Sequence, residues 1–287
     1  MNNFHKNITF IIVTYRSENI IEKCLKKIPK KCKIIIVENS NDFYLKKKIK
    51  KKYPRIKFLI NKKNYGYGKA NNIGILNTKT KYAFILNPDA ILQKNTIFEL
   101  KKAIKFLLDD FSIISPNSDN NYGYFNKQKK INIIHNLLDV DYVKGFAMLL
   151  NLEKINNKKI FDENFFLFLE EIDFCKRIKN LGGKIYIATK SRIGHVGKNS
   201  SKDDIKIELC KNWHWMWSLF YFNNKHYGLL SAYKITIFKF LSAIIKIFFN
   251  LVFFKKNFFL INKFRLLGLI DAYLGRSSSL RPEKLKL

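Results

Sequence analysis

Four short apolar runs, residues 8–13, 33–38, 57–60 and 82–86, alternate with segments of helical character, and this alternation constrains the fold more than any other feature of the chain. Runs of this length, rich in Ile, Val and Phe, are too short for ordinary helices and too apolar for strands with a solvated face. Repeated strand–helix–strand units close into a parallel sheet with helices on its faces. The pattern therefore predicts an α/β fold, a doubly wound and mostly parallel sheet flanked by helices. Such sheets bind ligands in the crevice outside the carboxyl ends of their strands, so the residues just after each run carry the functional information.

The most telling of these ends is Asn87-Pro88-Asp89, where the fully apolar run 82–86 stops and a carboxylate is delivered to the sheet edge. Asn-Pro-Asp is also ordinary turn and cap chemistry before the helix expected over 95–108. A second acidic cluster, Glu170, Glu171 and Asp173, comes after the greasy run 165–169 in a chain short of acids. Part of it suits the negative charge favoured at a helix N-terminus. A carboxylate held against aromatic surface also has its pKa raised and can serve as a general base.

Residues 64–74 (NYGYGKANNIG) place three glycines before a short helix, where the backbone can approach a ligand closely. Thr14 and Tyr15 come after the first strand, and residues 39–42 (NSND) after the second; both are positions for nucleotide contact or for plain turns. Further on, the pattern predicts a strand over 112–115, a mobile polar loop over 117–130 and strands around Gly145 over 142–150. A helix over 170–181, closed by Gly182-Gly183, and a last strand over 184–188 complete the domain. His195 is expected in a short glycine-flanked loop. Paired with Asp89 it could complete a hard-cation site, since a divalent ion on a diphosphate needs only one or two protein ligands. Neither a G-x-G-x-x-G after the first strand nor a P-loop is present, which removes the main support for dinucleotide and P-loop readings.

Taken in order, residues 11–15 (IIVTY), 37–42 (VENSND), 64–74, 86–89 (LNPD), 161–166 (FDENFF), 170–177 (EEIDFCKR) and 195–197 (HVG) resemble a family 2 glycosyltransferase with the GT-A fold, in its rhamnosyltransferase-like branch. The resemblance runs from about residue 8 to 201. It implies that Thr14, Tyr15, Glu38 and Asp42 hold the base and ribose of a nucleotide donor, with Asn64, Gly66, Asn72 and Asn87 bordering it. It further implies that Asp89 and His195 sit at a Mg²⁺ or Mn²⁺ ion on the donor diphosphate, and that Glu171 is the catalytic base. The family usually carries Asp at the positions of Glu38 and Glu171, and its second-strand loop is one residue longer; Glu170 is the fallback base.

The chain carries 54 Lys and Arg against 22 Asp and Glu, a formal charge of +32. A field of that sign favours anionic partners: membrane lipid, polyphosphate or nucleic acid. A basic nucleic-acid-binding protein without transferase activity is therefore the alternative reading. Four cysteines without a C-x-x-C pair, and a polar N-terminus lacking a signal-peptide pattern, predict a reduced, cytoplasmic setting. Composition shifts near Trp213, which predicts a catalytic domain over 1–210 and a C-terminal helical, membrane-associating segment over 211–287. Within it, Lys239, Lys246 and Asn250 share one face of an otherwise apolar helix over 233–254, a pattern suited to a membrane interface. Trp213, Trp215, Trp217 and Tyr221 are expected in an interfacial aromatic belt. The partners implied are a nucleotide-diphosphate sugar, a lipid-linked glycan acceptor and the anionic cytoplasmic leaflet.

Overall fold

The computed structural model describes residues 4–118, 133–155, 160–195 and 204–285. They divide into two compact units, one of Met1–Phe161 with Glu171–Lys202 and the other of Asp162–Glu170 with Asp203–Leu287.

The first unit is built on one sheet. Strands β1 (Ile8–Thr14), β2 (Lys33–Glu38), β3 (Lys57–Ile60) and β4 (Tyr82–Leu86) pair in the order β3-β2-β1-β4, every pair parallel. Every residue of β4 and all but Val13 of β1 are buried. Burial on both faces is what turns these strands into continuous apolar runs instead of alternating ones. Phe10 and Phe84 pack across β1 and β4 with ring centroids 4.8 Å apart.

The helices between these strands are α1 (Ile21–Leu25), α2 (Phe43–Lys52) and α3 (Tyr67–Leu76). α1 is shorter than the segment 18–28 expected: beyond Leu25 the chain runs through turn bonds from Lys27 to Cys24 and from Ile28 to Leu25, and Pro29 keeps Ile28 from continuing the helix. α2 begins on the side chain of Asp42, which accepts the Leu45 N–H at 2.8 Å, and ends with Lys50, Lys51 and Lys52 against its negative pole. α3 lies hard against the sheet at Gly74. A Cβ there would stand 2.4 Å from the Ile11 side chain.

Beyond β4 come β5 (Ala90–Leu92), α4 (Thr96–Phe106), β6 (Ile113–Ser118), β7 (Ile133–Ile134), β8 (Leu137–Asp139), β9 (Ala147–Asn151), α5 (Glu170–Asn180) and β10 (Ile185–His195). The sheet continues β4-β9-β6-β10-β8-β7, with β9 antiparallel to both neighbours and β5 paired antiparallel to the end of β10. The expected doubly wound α/β sheet is thus present, parallel through its first four strands and mixed beyond them.

Two expectations are corrected. Residues 142–146 are not strand: Gly145 bonds to Tyr67 of α3, Phe146 bonds to the loop after β4, and only Ala147–Asn151 pairs. β10 does not stop at Ala188. A register shift between Ala188 and Arg192 lets it continue to His195, so residues 192–195 are strand rather than loop. Of the polar loop expected over 117–130, residues 119–130 lie outside the described residues.

The second unit contains α6 (Ile205–Tyr227), α7 (Leu229–Val252) and α8 (Lys256–Tyr273). α6 gives way to α7 at Gly228, whose φ of +84° a residue with a side chain rarely adopts. Trp213 and Trp217 are not on an outer belt. Both are buried among the helices, their indole N–H groups donating to Asp271 and to the Arg276 carbonyl, and only Trp215 of the three is exposed. α8 passes so close that a Cβ on Gly268 would stand 2.4 Å from the Trp213 carbonyl oxygen.

His214 is wholly buried beside them, its ring nitrogens on the Leu280 carbonyl at 2.9 Å and the Ser278 hydroxyl at 3.1 Å. Burial pushes its pKa down from 6.5 to about 3. As pH falls below the unfolded value, the unfolded chain takes up a proton that the folded chain refuses, so stability is full above about pH 6.5 and declines toward pH 3. The slope is about 1.4 kcal/mol per pH unit. Thermal melts should show Tm falling from about pH 7 to about pH 5, with a smaller fall in His214→Gln. An equal fall in both proteins would contradict this source.

Candidate active site

The carboxyl edges of the parallel strands carry an interlocked set of polar groups. Thr14 ends β1 and Glu38 ends β2, side by side in register. The Thr14 hydroxyl donates to Glu38 Oε2, and the Ser40 hydroxyl and backbone N–H donate to Oε1. Burial pushes the Glu38 pKa up, and these three donors oppose the rise. The Arg16 N–H reaches the Ser40 hydroxyl at 3.2 Å, so the loops after β1 and β2 are bonded to each other. Tyr15 is half-exposed above them, with the Arg16 guanidinium 5.3 Å from its ring centre. This edge is a rigid, partly open shelf with aromatic and hydrogen-bonding character.

Asn39 joins that shelf to the glycine-rich segment. Its amide donates to the Gly66 carbonyl at 3.1 Å, and its Oδ1 accepts from Asn61 at 2.8 Å. Asn64 closes a local turn by accepting the Gly66 N–H at 2.9 Å. Gly66 itself sits at φ +85°, ψ 175° as the N-cap of α3, a region essentially restricted to glycine. Gly66→Ala should cost about 1–3 kcal/mol of stability and distort the turn. The expected readout is a lowered Tm together with weakened nucleotide binding; unchanged nucleotide affinity would remove this turn from the site.

Asp89 lies just past β4 and is 4% exposed. Its loop is fixed from three sides: the Asn87 N–H donates to the Phe146 carbonyl at 2.9 Å, the Asn87 carbonyl accepts the Ala90 N–H at 3.1 Å, and the Cys24 thiol reaches that carbonyl at 3.7 Å. Burial, reinforced by the charge of Asp89, raises the Cys24 thiol to about 12, which keeps it neutral and unreactive. β5 starts at once after Asp89, and its Ala90 pairs with His195 of β10. The backbone of His195 is thereby brought beside the Asp89 loop; its side chain lies outside the described residues, as do Val196 and Gly197.

The acidic cluster opens α5. Glu170 is buried and Asp173 holds Arg177 at 2.8 Å, whereas Glu171, although densely surrounded, keeps some contact with solvent. Burial raises the pKa of Glu171, opposed by its own N–H, by the N–H of Gly145 and by the charge of Lys144. Gly145 therefore links several parts of the site. Its N–H serves Glu171, its carbonyl accepts the Tyr67 hydroxyl at 2.5 Å, and the next residue, Phe146, anchors Asn87. A Cβ on Gly145 would lie 3.3 Å from the Tyr67 ring and 3.5 Å from Glu171 Cβ.

Two expected donor contacts are used otherwise. Asp42 caps α2, and the Asn72 amide is buried with its Nδ2 and Oδ1 clasping the Phe161 backbone, both at 2.9 Å. Asn39 and Tyr67, which lie within the segments 39–42 and 64–74 read as possible contact positions, belong to the framework, as do Gly145 and Asn61, which were not singled out as contacts. Only Tyr67 and the run of Asn residues carried a side-chain signal; the Gly145 contribution is made by backbone atoms.

A hard divalent cation fits the donor chemistry. Asp89 supplies a buried carboxylate, and the Oδ1 of nearby Asn87 is buried with no hydrogen-bond partner among the described residues. Among the described residues no group of three His, Cys, Asp or Glu is gathered for a metal. An ion at Asp89 would complete its shell with phosphate oxygens and water, as such cations commonly do.

Residues 9–174, more than half of the chain, match the sequence model of glycosyl transferase family 2. The low-salt glycan biosynthesis hexosyltransferase Agl10 of Haloferax volcanii is 28% identical over 60% of this chain and 62% of its own. The chain thus covers less than two thirds of that relative's length. The rhamnosyltransferase WbbL of Escherichia coli K12 is 26% identical over 62% of this chain and 79% of its own. Among solved structures, the mannosyltransferase PcManGT of Pyrobaculum calidifontis, in complex with GDP-Man and Mn²⁺, superposes with a TM-score of 0.56 at 12% identity, over 94% of this chain and 87% of that one. That likeness concerns the fold.

Proposed function

The chain belongs to glycosyl transferase family 2, and from that premise we propose that it is an inverting transferase moving a sugar from a nucleoside-diphosphate donor to a lipid-linked or growing surface-polysaccharide acceptor. The observation that carries this reading is the Gly145-Phe146 bridge, which ties the Asp89 loop on one side and Glu171 on the other into one framework. Rhamnose and other hexoses are the sugars to test, in keeping with the names of WbbL and Agl10. The nucleic-acid-binding alternative rests on charge and on Tyr and Phe content and gains nothing from the fold or the matches.

In this mechanism the shelf of Thr14, Tyr15 and Glu38 orients the base and ribose, and the Asn64–Gly66 turn borders the nucleotide. Asp89 and Asn87, with His195, would hold Mg²⁺ or Mn²⁺, which supplies charge stabilisation to the departing diphosphate. Glu171 accepts the proton of the acceptor hydroxyl while that oxygen forms its bond to the anomeric carbon. The bond from that carbon to the diphosphate breaks on the opposite face, and the nucleoside diphosphate leaves with the bonding pair. A raised pKa makes Glu171 a stronger base than an exposed carboxylate. Its contact with solvent leaves a route for the acceptor, which the buried Glu170 lacks.

We place the protein on the cytoplasmic face of the membrane, held peripherally by the second unit and by its positive charge. α7 is long and apolar enough to associate with lipid. Incubation of labelled nucleotide sugars and Mn²⁺ with polyprenyl-diphosphate glycans should transfer label from one donor to the lipid fraction with inversion. Transfer with retention, or none from any donor, would overturn the proposal.

A further inference from the structure

α7 has the length to cross a bilayer, about 36 Å at 1.5 Å per residue against a core of about 30 Å, yet its packing argues against crossing. α7 and α8 form an antiparallel hairpin: Thr236, early in α7, bonds the hydroxyl of Tyr273 at the end of α8 at 3.0 Å, and Phe240 stacks on the same ring. A spanning α7 would carry α8 with it. α8 exposes Lys256 and Lys263 and uses Arg265 on Asn212, so its charges would enter hydrocarbon with no compensating partner in lipid.

The exposed surface of the hairpin fits a different placement. Phe238, Leu241, Ile245, Phe248, Phe249 and Val252 share one side of α7 and are all exposed. Lys239 and Lys246 border that side, and Lys234 stands within it near the start of the helix. At the far end, the turn between the helices presents Phe253 and Phe254 to solvent, Phe254 at 93% exposure, with exposed Lys255 and Lys256 directly after them. Between Glu208 and Asp271 the chain carries nine Lys and Arg and no acid. An apolar face rimmed by cations, with no anion to repel phosphates, complements an anionic leaflet.

We propose that the α7–α8 hairpin is an in-plane anchor that does not cross the membrane and that enters an anionic leaflet corner first, Phe253 and Phe254 among the upper acyl chains and Lys255 and Lys256 on the lipid phosphates. This rests on the membrane-bound reading above and assigns its contact residues. The test is flotation of the full chain with phosphatidylcholine vesicles, with and without phosphatidylglycerol. The wild type floats with the anionic vesicles and is released by alkaline wash. F253S/F254S binds about tenfold or more weakly. K255E/K256E loses binding only where phosphatidylglycerol is present and salt is low, and both variants keep wild-type nucleotide affinity. Resistance of the wild type to alkaline wash would show a span and overturn the proposal. Full binding by both variants would overturn the corner while leaving membrane association intact. A wild type that fails to float and instead forms a dimer broken by F253S/F254S would assign the face to a second copy and overturn both.

Discussion

Glu171→Gln should bind nucleotide sugar as the wild type does and lose about 10²- to 10⁴-fold in turnover, the range that a positioned general base contributes. Glutamine keeps the size of the side chain and can still accept the Gly145 N–H, so the framework from Tyr67 to Asn87 should survive. What it lacks is the basic oxygen proposed to take the acceptor proton. Because burial raises the pKa of Glu171, the wild-type rate should fall on the acid side at a pH above the ordinary carboxylate range. A pH–rate profile measures that limb directly. Glu170→Gln provides the contrast, with turnover reduced far less. Undiminished turnover in Glu171→Gln, or the larger loss in Glu170→Gln, would move the base elsewhere.

Asp89→Ala should be as damaging by a different route. It removes the buried carboxylate from the loop after β4, and with it the proposed anchor for a cation at the leaving group. A metal ion contributes several kcal/mol of charge stabilisation, and each 1.36 kcal/mol is a factor of ten, so about 10³-fold in kcat/KM is expected. Asp89→Asn, which keeps the shape and loses the charge, should behave similarly. Loss of the Asp89 charge should also let the Cys24 thiol, pushed up to about 12 by burial and by that charge, titrate lower, which a thiol-reactivity profile can read. Wild-type activity in Asp89→Asn would exclude the carboxylate as the anchor.

Much of this was legible in the sequence because the governing physics is local. Burial of a strand on both faces demands a continuous apolar run, as in β4, and β2, β3 and β4 all begin and end where their runs do. A proline stops the helix-like segment before residue 29, and another marks the Asp89 turn. What was not legible depends on long-range geometry. The continuation of β10 to His195 requires a register shift that no periodicity announces, and pairing with β5 rests on a strand of three residues. Gly145 acts through its own N–H and carbonyl, so its residue type shows only that space is tight. Asn72 and Asp42 read equally as ligand contacts or as structural bonds, and the second use became visible only with Phe161 and Leu45 in place. Aromatic residues suit both a lipid boundary and a helix core, which is why Trp213 and Trp217 were expected on the wrong side of that choice.

On the proposed reading one framework holds a donor diphosphate at Asp89 and a proton acceptor at Glu171. Thermal shift of the full chain with a panel of nucleoside diphosphates, each with and without Mn²⁺, tests it most directly. The wild type and Glu171→Gln should be stabilised by one nucleoside diphosphate in a Mn²⁺-dependent manner, and Asp89→Ala should show no shift. Equal stabilisation of all three proteins, or stabilisation indifferent to the metal, would contradict the account.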